Sequence, residues 1–234
     1  GRSRAVYATT DRLVCVGRDG SPRWQVDFAA ASTPWTPPPS RCDFSLDGAV
    51  VWLYRPDGMT YDGALTDSWL ALDAGTGAVL ARTGLDTAGQ GAQHFAHPDG
   101  EHMLLDVGQG QDGTRVFRGR LAGDRIELFA YAWGNRTLIS VSPDGSRLMT
   151  VDHDNADAAF HTYLDGAVVA RVSAADLGHD GAVIEYAGGY VDGATAVVTV
   201  AGETGDEQQW YERHLVDPAT GRGRGRLDAP SAGP

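Results

Sequence analysis

The densest group of potential metal ligands in the sequence is the segment Asp152-His153-Asp154-Asn155-Ala156-Asp157, which His161 follows four residues later. Carboxylates at alternate positions, such as Asp152 and Asp154, suit a hard cation such as Ca²⁺. His153 and His161 could approach each other across a hairpin and would suit a transition metal. Loops rich in Asp and Asn also cap themselves through local hydrogen bonds. We favour the self-capped loop, so the sequence predicts no metal site and no cofactor.

Other familiar catalytic arrangements receive little support. All 19 basic residues are Arg, so no lysine can form a Schiff base or act as a general base. His94 and His97 lie in a strand-like run, where residues three apart point to opposite faces, so they are not expected to share a metal. Cys15 and Cys42 could form one disulfide or remain as buried apolar groups, and we favour the second alternative.

A recurring turn signature defines the organisation of the chain. Four Asp-Gly pairs, each followed by a strand-like run, are spaced by 45–52 residues: Asp47-Gly48, Asp99-Gly100, Asp144-Gly145 and Asp192-Gly193. Asp-Gly between short apolar runs is typical of hairpins. A second turn, such as Asp165-Gly166, comes later in each repeat. Each repeat is therefore predicted to contain four antiparallel strands, A to D, and the N-terminal repeat lacks strand A.

Sequence repeats of about 48 residues with four strands each are typical of β-propellers. The sequence therefore predicts an all-β fold, a five-bladed β-propeller of four-stranded antiparallel blades whose first blade is incomplete at the N-terminus. We expect a single domain over residues 1–234, with blades at approximately residues 1–30, 40–83, 91–131, 136–174 and 182–228.

Three segments resemble the repeats of known propeller families. VSPDGSRLMTV, residues 141–151, resembles the Ser-Pro-Asp-Gly hairpin of WD40-like repeats. WLALDAGTGAVL, residues 69–80, and HLVDPATGRG, residues 214–223, are similar to the hairpin of PQQ-like and YVTN-type repeats. The resemblance to these bacterial families covers nearly the whole chain and implies propeller architecture. It implies little about activity, because the families include scaffolds, sensor domains and assembly factors as well as enzymes.

The predicted topology indicates where a ligand would bind. Because successive strands alternate in direction, the long B–C and D–A loops meet at one end of the propeller, and strand A lines the channel. The candidate ligand-binding residues are polar groups on the A strands and two loop tryptophans: Arg41, Asp43, Gln93, Ser140, Tyr186, Trp35 and Trp133. The two indoles could stack on a ligand or fill the groove between blades. The long loops also contain 13 of the 31 acidic residues, which predicts an acidic end.

Charge and composition limit the possible partners. The formal net charge is −12, which would repel nucleic acid, and no apolar run is long enough for a membrane span. We expect a non-catalytic binding or protein-interaction propeller whose partner is a cationic or polar small molecule or protein. The alternative is a hydrolase or lyase with its site at the channel mouth. The chain begins at Gly1 without a signal peptide, so we expect a cytoplasmic location unless a leader has been removed.

Overall fold

The computed structural model describes residues 4–28, 38–57, 66–206 and 208–227, which are built almost entirely of antiparallel strands. The strands are β1 Arg4–Ala8, β2 Arg12–Gly17, β3 Pro22–Asp27, β4 Arg41–Phe44, β5 Val50–Arg55, β6 Ser68–Asp73, β7 Val79–Gly84, β8 Gly91–Ala96, β9 His102–Gly108, β10 Thr114–Ala122, β11 Arg125–Ala130, β12 Arg136–Val141, β13 Arg147–Asp152, β14 Asp157–Thr162, β15 Val168–Ser173, β16 Val183–Tyr190, β17 Ala196–Glu203, β18 Gln209–Val216 and β19 Gly223–Arg226. Two single-turn 3-10 helices span Gly110–Asp112 and Ala175–Leu177. No helix in the described residues is long and apolar enough to cross a bilayer.

Every strand pairs antiparallel with its neighbours in sequence, so each sheet is an up-and-down meander. Sheet 1 contains β1–β3, and sheets 2 to 5 contain β4–β7, β8–β11, β12–β15 and β16–β19. The predicted fold class is therefore confirmed, with one three-stranded sheet followed by four four-stranded sheets. The chain divides into two compact units, unit 1 over Gly1–Tyr131 and unit 2 over Ala132–Pro234. A single domain over residues 1–234 stays a prediction.

The Asp-Gly turns form the expected hairpins in three of the four positions. Gly145 has a φ of 73°, a left-handed conformation that glycine adopts without strain. The Asp144 carboxylate accepts the Ser142 hydroxyl at 2.6 Å and the Ser146 N–H at 3.0 Å, which closes the turn. The fourth turn differs, because Val191 N–H bonds to Thr195 O and closes a loop that is one residue shorter. Gly193 consequently lies outside the left-handed region.

The sheets bury apolar side chains against one another within each unit. In unit 1, Trp52, Trp69 and Phe117 belong to a core formed by sheets 2 and 3. In unit 2, alternate residues of β17, including Val198 and Val200, pack with sheet 4. This alternation follows from the two-residue period of a strand. The first strands of neighbouring sheets lie in contact, β1 with β4, β4 with β8, and β12 with β16.

Both cysteines of unit 1 carry free thiols. Cys15 is completely buried, and Cys42 is half-buried with its pKa raised to about 12 by burial. The favoured expectation of two unpaired, apolar cysteines is confirmed. A thiol with so high a pKa stays protonated at neutral pH and is a poor nucleophile.

Candidate functional site

The predicted channel residues of unit 1 lie on two strands in contact. Arg41 and Asp43 belong to β4, and Gln93 belongs to β8. Arg41 and Gln93 are exposed, whereas Asp43 is half-buried and accepts the N–H of Phe44 at 2.7 Å. These three polar groups are held by the first strands of adjacent sheets. Their role in binding a ligand stays a prediction.

The predicted residues of unit 2 are held by local contacts. The Ser140 hydroxyl on β12 accepts the N–H of Tyr190 at 3.3 Å, and the Tyr186 hydroxyl on β16 donates to the carbonyl of His153 at 2.5 Å. The Trp133 indole donates to the carbonyl of Gly166 at 2.7 Å, and its ring lies 4.4 Å from that of His161. These contacts hold the indole of Trp133 against sheet 4, and its role in binding a ligand stays a prediction. Trp35 lies outside the described residues.

The acidic segment 152–157 is neutralised by arginine. The Arg136 side chain, only 4% exposed, lies 2.5 Å from Asp157 Oδ1 and 3.4 Å from Asp152 Oδ2. Arg171 approaches the other oxygen of Asp157 at 2.9 Å. Asp152 Oδ1 also accepts the N–H of Asp154 at 3.0 Å, the local capping that was expected. The Arg136 guanidinium therefore makes the contacts with Asp152 and Asp157 that a hard cation would otherwise make.

The two histidines of this hairpin do not meet. His153 lies in the turn between β13 and β14, whereas His161 lies near the opposite end of β14 and pairs with Leu148. The idea that they approach across the strands was wrong, because four residues of extended chain separate His161 from Asp157. His161 Nε2 lies 2.8 Å from the Thr150 hydroxyl, and Nδ1 lies 3.0 Å from the carbonyl of Gly166.

This hydroxyl–imidazole pair is buried and inaccessible. Thr150 and His161 are both 0% exposed, and Arg136 Nε donates to the same hydroxyl at 2.8 Å. Burial lowers the pKa of His161 to about 4, so the imidazole is neutral at physiological pH. A hydroxyl beside a neutral histidine could act as a nucleophile with a general base. No substrate can reach this pair, because both side chains are buried. The pair therefore stabilises sheet 4 by hydrogen bonding.

Part of the predicted acidic end is also buried. Asp67 in unit 1 is completely buried and accepts hydrogen bonds from the Tyr54 hydroxyl at 2.8 Å and from Thr87 at 2.7 Å. Asp57 is paired with Arg55 at 2.9 Å. These carboxylates do not contribute an open surface charge. Among the loop carboxylates of unit 2, Asp154, Asp180, Glu203 and Asp206 are exposed and form no ion pair with a described residue. The exposed Asp176 accepts hydrogen bonds from Ser173.

Exposed apolar side chains accumulate at the same end of sheet 5. Val183 begins β16, Tyr211 is the third residue of β18, and Leu227 directly follows β19. The beginnings of β16 and β18 lie at the end of the sheet with the long loops, where Val183 and Tyr211 flank Ala201. Leu227 lies beside Arg213, two residues further along β18. Tyr211 is 60% exposed, Leu227 45% and Val183 40%. The register places Val183, Ala201 and Tyr211 in one row on one face of the sheet, whereas the Tyr186 hydroxyl reaches sheet 4. We call the three residues Val183, Tyr211 and Leu227 the apolar patch.

An open pocket of about 460 Å³ extends across sheet 5 beside this patch. Its lining includes Tyr211, Leu227, Arg213 and Thr199. Arg213 is exposed and forms no ion pair with a described residue, so its guanidinium can donate to an incoming carbonyl or carboxylate. The pocket thus combines apolar surface with a forked hydrogen-bond donor.

The sequence analysis did not identify a second cluster, which lies on the other face of β18. His179 Nε2 and His214 Nε2 are 3.1 Å apart, and the Oε2 atom of Glu212 is 3.2 Å from His179 and 3.6 Å from His214. Arg226 Nε approaches the same oxygen at 3.2 Å. Burial and the neighbouring His179 lower the pKa of His214. The sequence signal was Glu212-x-His214, since residues two apart on a strand share one face.

Comparisons with known proteins identify the fold. No protein-family model matches the chain, and no curated protein sequence is significantly similar to it. The hydrazine synthase of Kuenenia stuttgartiensis is 12% identical, with a TM-score of 0.61 over 92% of this chain and 60% of its own. The Cps50 (Swd1) β-propeller domain of Myceliophteria thermophila is 6% identical, with a TM-score of 0.57 over 97% of this chain and 84% of its own.

A third similar structure is Chaetomium thermophilum Sqt1 bound to the N-terminus of the ribosomal protein L10. It is 15% identical, with a TM-score of 0.62 over 97% of this chain and 60% of its own. The chain therefore spans 60% of the length of both the hydrazine synthase and the Sqt1 chains. The protein has a β-propeller fold. Identities of 6–15% establish the fold alone, because propellers support many unrelated functions.

Proposed function

We propose that this protein is a non-catalytic binding module that takes a basic segment of a partner protein at the long-loop end of sheet 5. One observation carries the proposal: the apolar patch stands among carboxylates that have no ion-pair partner in the described residues. Asp180 precedes β16, Glu203 ends β17, and Asp206 follows it. Exposed apolar groups with a polar rim are typical of protein-interaction surfaces.

The patch offers the residue types that contribute most to binding. Tyr211 presents rigid aromatic surface at a low cost in side-chain entropy. The surrounding carboxylates would attract lysine and arginine side chains of the partner and would accelerate association. The same carboxylates would repel the phosphates of a nucleic acid, as would the net charge of −12. A protein partner therefore fits better than a nucleic acid.

The fold comparison supports this choice of partner class, since Sqt1 is bound to the N-terminal segment of another protein. Kinship with the bacterial WD40-like and PQQ-like repeats is part of the proposal and rests on the turn motifs, such as Ser142-Pro143-Asp144-Gly145. A ligand-binding role of the strand-A residues Arg41, Asp43, Gln93 and Ser140 is a separate proposal and is not part of the site on sheet 5.

Selection from a random peptide library tests the proposal. Twelve-residue peptides displayed on phage are selected against the immobilised chain, and the enriched sequences are synthesised for fluorescence anisotropy. We expect peptides rich in Arg or Lys with one or two apolar residues. Their affinity should fall with rising salt, because exposed charges are screened. The double substitution Val183→Ser with Tyr211→Ser should weaken binding at least tenfold.

The matched control is Val79→Ser with Leu80→Ser, which removes two exposed apolar side chains from β7 in unit 1. The control should bind the selected peptides as the parent does. Equal losses in both double variants, or enrichment of acidic peptides, would contradict the proposal.

A further inference from the structure

We infer that His179, Glu212 and His214 form a binding site for a zinc-like divalent transition-metal ion. Two imidazole Nε2 atoms and one carboxylate oxygen converge from two elements, the loop before β16 and the strand β18. Imidazole and carboxylate together are a common ligand set for Zn²⁺. This inference is independent of the proposed partner binding, since the apolar patch contributes none of the three ligands.

The distances between the ligand atoms fit one metal ion. Ligands about 2.0–2.1 Å from a tetrahedral zinc ion stand about 3.3 Å from one another. The three observed separations are 3.1, 3.2 and 3.6 Å. A shift of a few tenths of an ångström would therefore give a regular coordination triangle without a change of backbone.

The state of the Glu212 carboxylate is a second, independent observation. Its Oε2 atom is shielded from solvent and forms no well-aligned hydrogen bond with a described residue. Arg226 compensates the charge of this oxygen but gives it no aligned hydrogen bond, and a metal ion would supply the missing contact. Arg226 lies 3.2 Å from each oxygen of this carboxylate and can hold its orientation. Contacts from residues that do not touch the metal commonly fix the orientation of the side chains that bind it.

The site has three protein ligands, which leaves the fourth tetrahedral position for water or an incoming group. Glu212 and Arg226 also belong to the lining of the open pocket, so ions can enter from solvent. Structural zinc sites are closed by four protein ligands, whereas a site with three protein ligands leaves one position open to water. We therefore expect a metal that binds reversibly and that the fold does not require.

Metal titration of the untagged, chelator-treated chain tests this inference. Calorimetry with Zn²⁺ should show one ion per chain, and Co²⁺ should give the intense visible absorption of a four-coordinate site. His179→Ala and Glu212→Gln should each weaken Zn²⁺ binding at least tenfold. Both positions are partly exposed, and Glu212→Gln preserves size, so these variants should fold, as circular dichroism would verify. His153→Ala is the matched control and should bind as the parent does.

A second readout locates the ion. The Trp210 ring lies 5.2 Å from the His179 ring, so bound Cu²⁺ should quench its fluorescence. Trp210→Phe should remove this quenching and leave the Co²⁺ absorption unchanged. The inference is overturned if the chain binds no Zn²⁺ in a 1:1 ratio. It is also overturned if His179→Ala and Glu212→Gln both bind Zn²⁺ as tightly as His153→Ala does.

Discussion

Arg136 neutralises the carboxylates of sheet 4 from a buried position. Its guanidinium contacts Asp152, Asp157 and the Thr150 hydroxyl, and its side chain is 4% exposed. Removing one partner of a buried ion pair leaves the remaining charges uncompensated. Arg136→Met should therefore lower the free energy of unfolding by about 3–5 kcal/mol, measured by urea denaturation.

Arg171→Ala is the matched control for this prediction. Arg171 contacts the same Asp157, but its side chain is 53% exposed. Solvent screens an exposed pair, so the loss should stay below about 1 kcal/mol. A small effect of Arg136→Met, similar to that of the control, would show that the buried contacts add no net stability.

His161 should make the free energy of unfolding depend on pH, mainly above the pH range in which carboxylates titrate. Burial lowers its pKa to about 4 in the folded chain, against 6.5 in the unfolded chain. Between these values the unfolded chain binds more protons, so stability falls as the pH falls. From pH 7 to pH 5 the parent should lose about 2 kcal/mol more than His161→Gln, as measured by denaturation at each pH.

His153→Gln serves as the control for the pH experiment, because His153 lies in the turn and not in the core. Its pH dependence should match that of the parent. An identical slope for the parent and for His161→Gln would contradict the buried, neutral state of His161.

At the level of residues, the sequence showed which charged side chains are clustered but not which side chains they pair with. The acidic segment 152–157 was evident, yet its cation, Arg136, became visible only through the register that places Arg136 opposite Asp152. The pair Glu212-x-His214 could have been recognised from strand periodicity. His179 could not, because it lies 35 residues before His214 and is brought to it by sheet packing.

At the level of elements, the Asp-Gly hairpins offer a direct test of turn chemistry. Gly100 and Gly193 occupy equivalent turns, and a Cβ atom would meet nothing within 4 Å at either. They differ in backbone conformation, since Gly100 has a φ of 77° and Gly193 lies outside the left-handed region. Gly100→Ala should therefore cost about 1–2 kcal/mol through strain.

Gly193→Ala should be neutral or stabilising by up to about 1 kcal/mol, because it reduces the entropy of the unfolded chain. Thermal denaturation of the two variants beside the parent provides the measurement. Equal destabilisation by both substitutions would refute the role of φ and would point to lost flexibility in the turns.

The elements were predictable because their pairing is local. A turn of fixed chemistry forces the strands on either side to pair, so the repeated turns alone predicted five meanders in sequence order. The fourth Asp-Gly turn closes a loop that is one residue shorter than the others. Its signature has Tyr190 at the position where the other turns have a Ser or His whose side chain contacts the turn aspartate.

For the molecule as a whole, the same fold is reached with few identical residues. Chains that are 6–15% identical share it, because alternating apolar residues and turn glycines define a meander without specifying particular side chains. The binding that we propose depends instead on side chains of sheet 5, namely the apolar patch and the carboxylates beside it. Such positions can vary freely while the fold persists.

Cooperative unfolding tests the proposal that residues 1–234 form a single domain. Gly100 belongs to unit 1, and Arg136 belongs to unit 2. If the chain is one cooperative domain, Gly100→Ala and Arg136→Met should each shift one and the same calorimetric transition to lower temperature. The calorimetric and van't Hoff enthalpies should then agree. If the units unfold separately, each substitution should move only the transition of its own unit and leave the other in place. Two transitions that respond to different substitutions would overturn the proposal of a single domain and would assign an independent core to each unit.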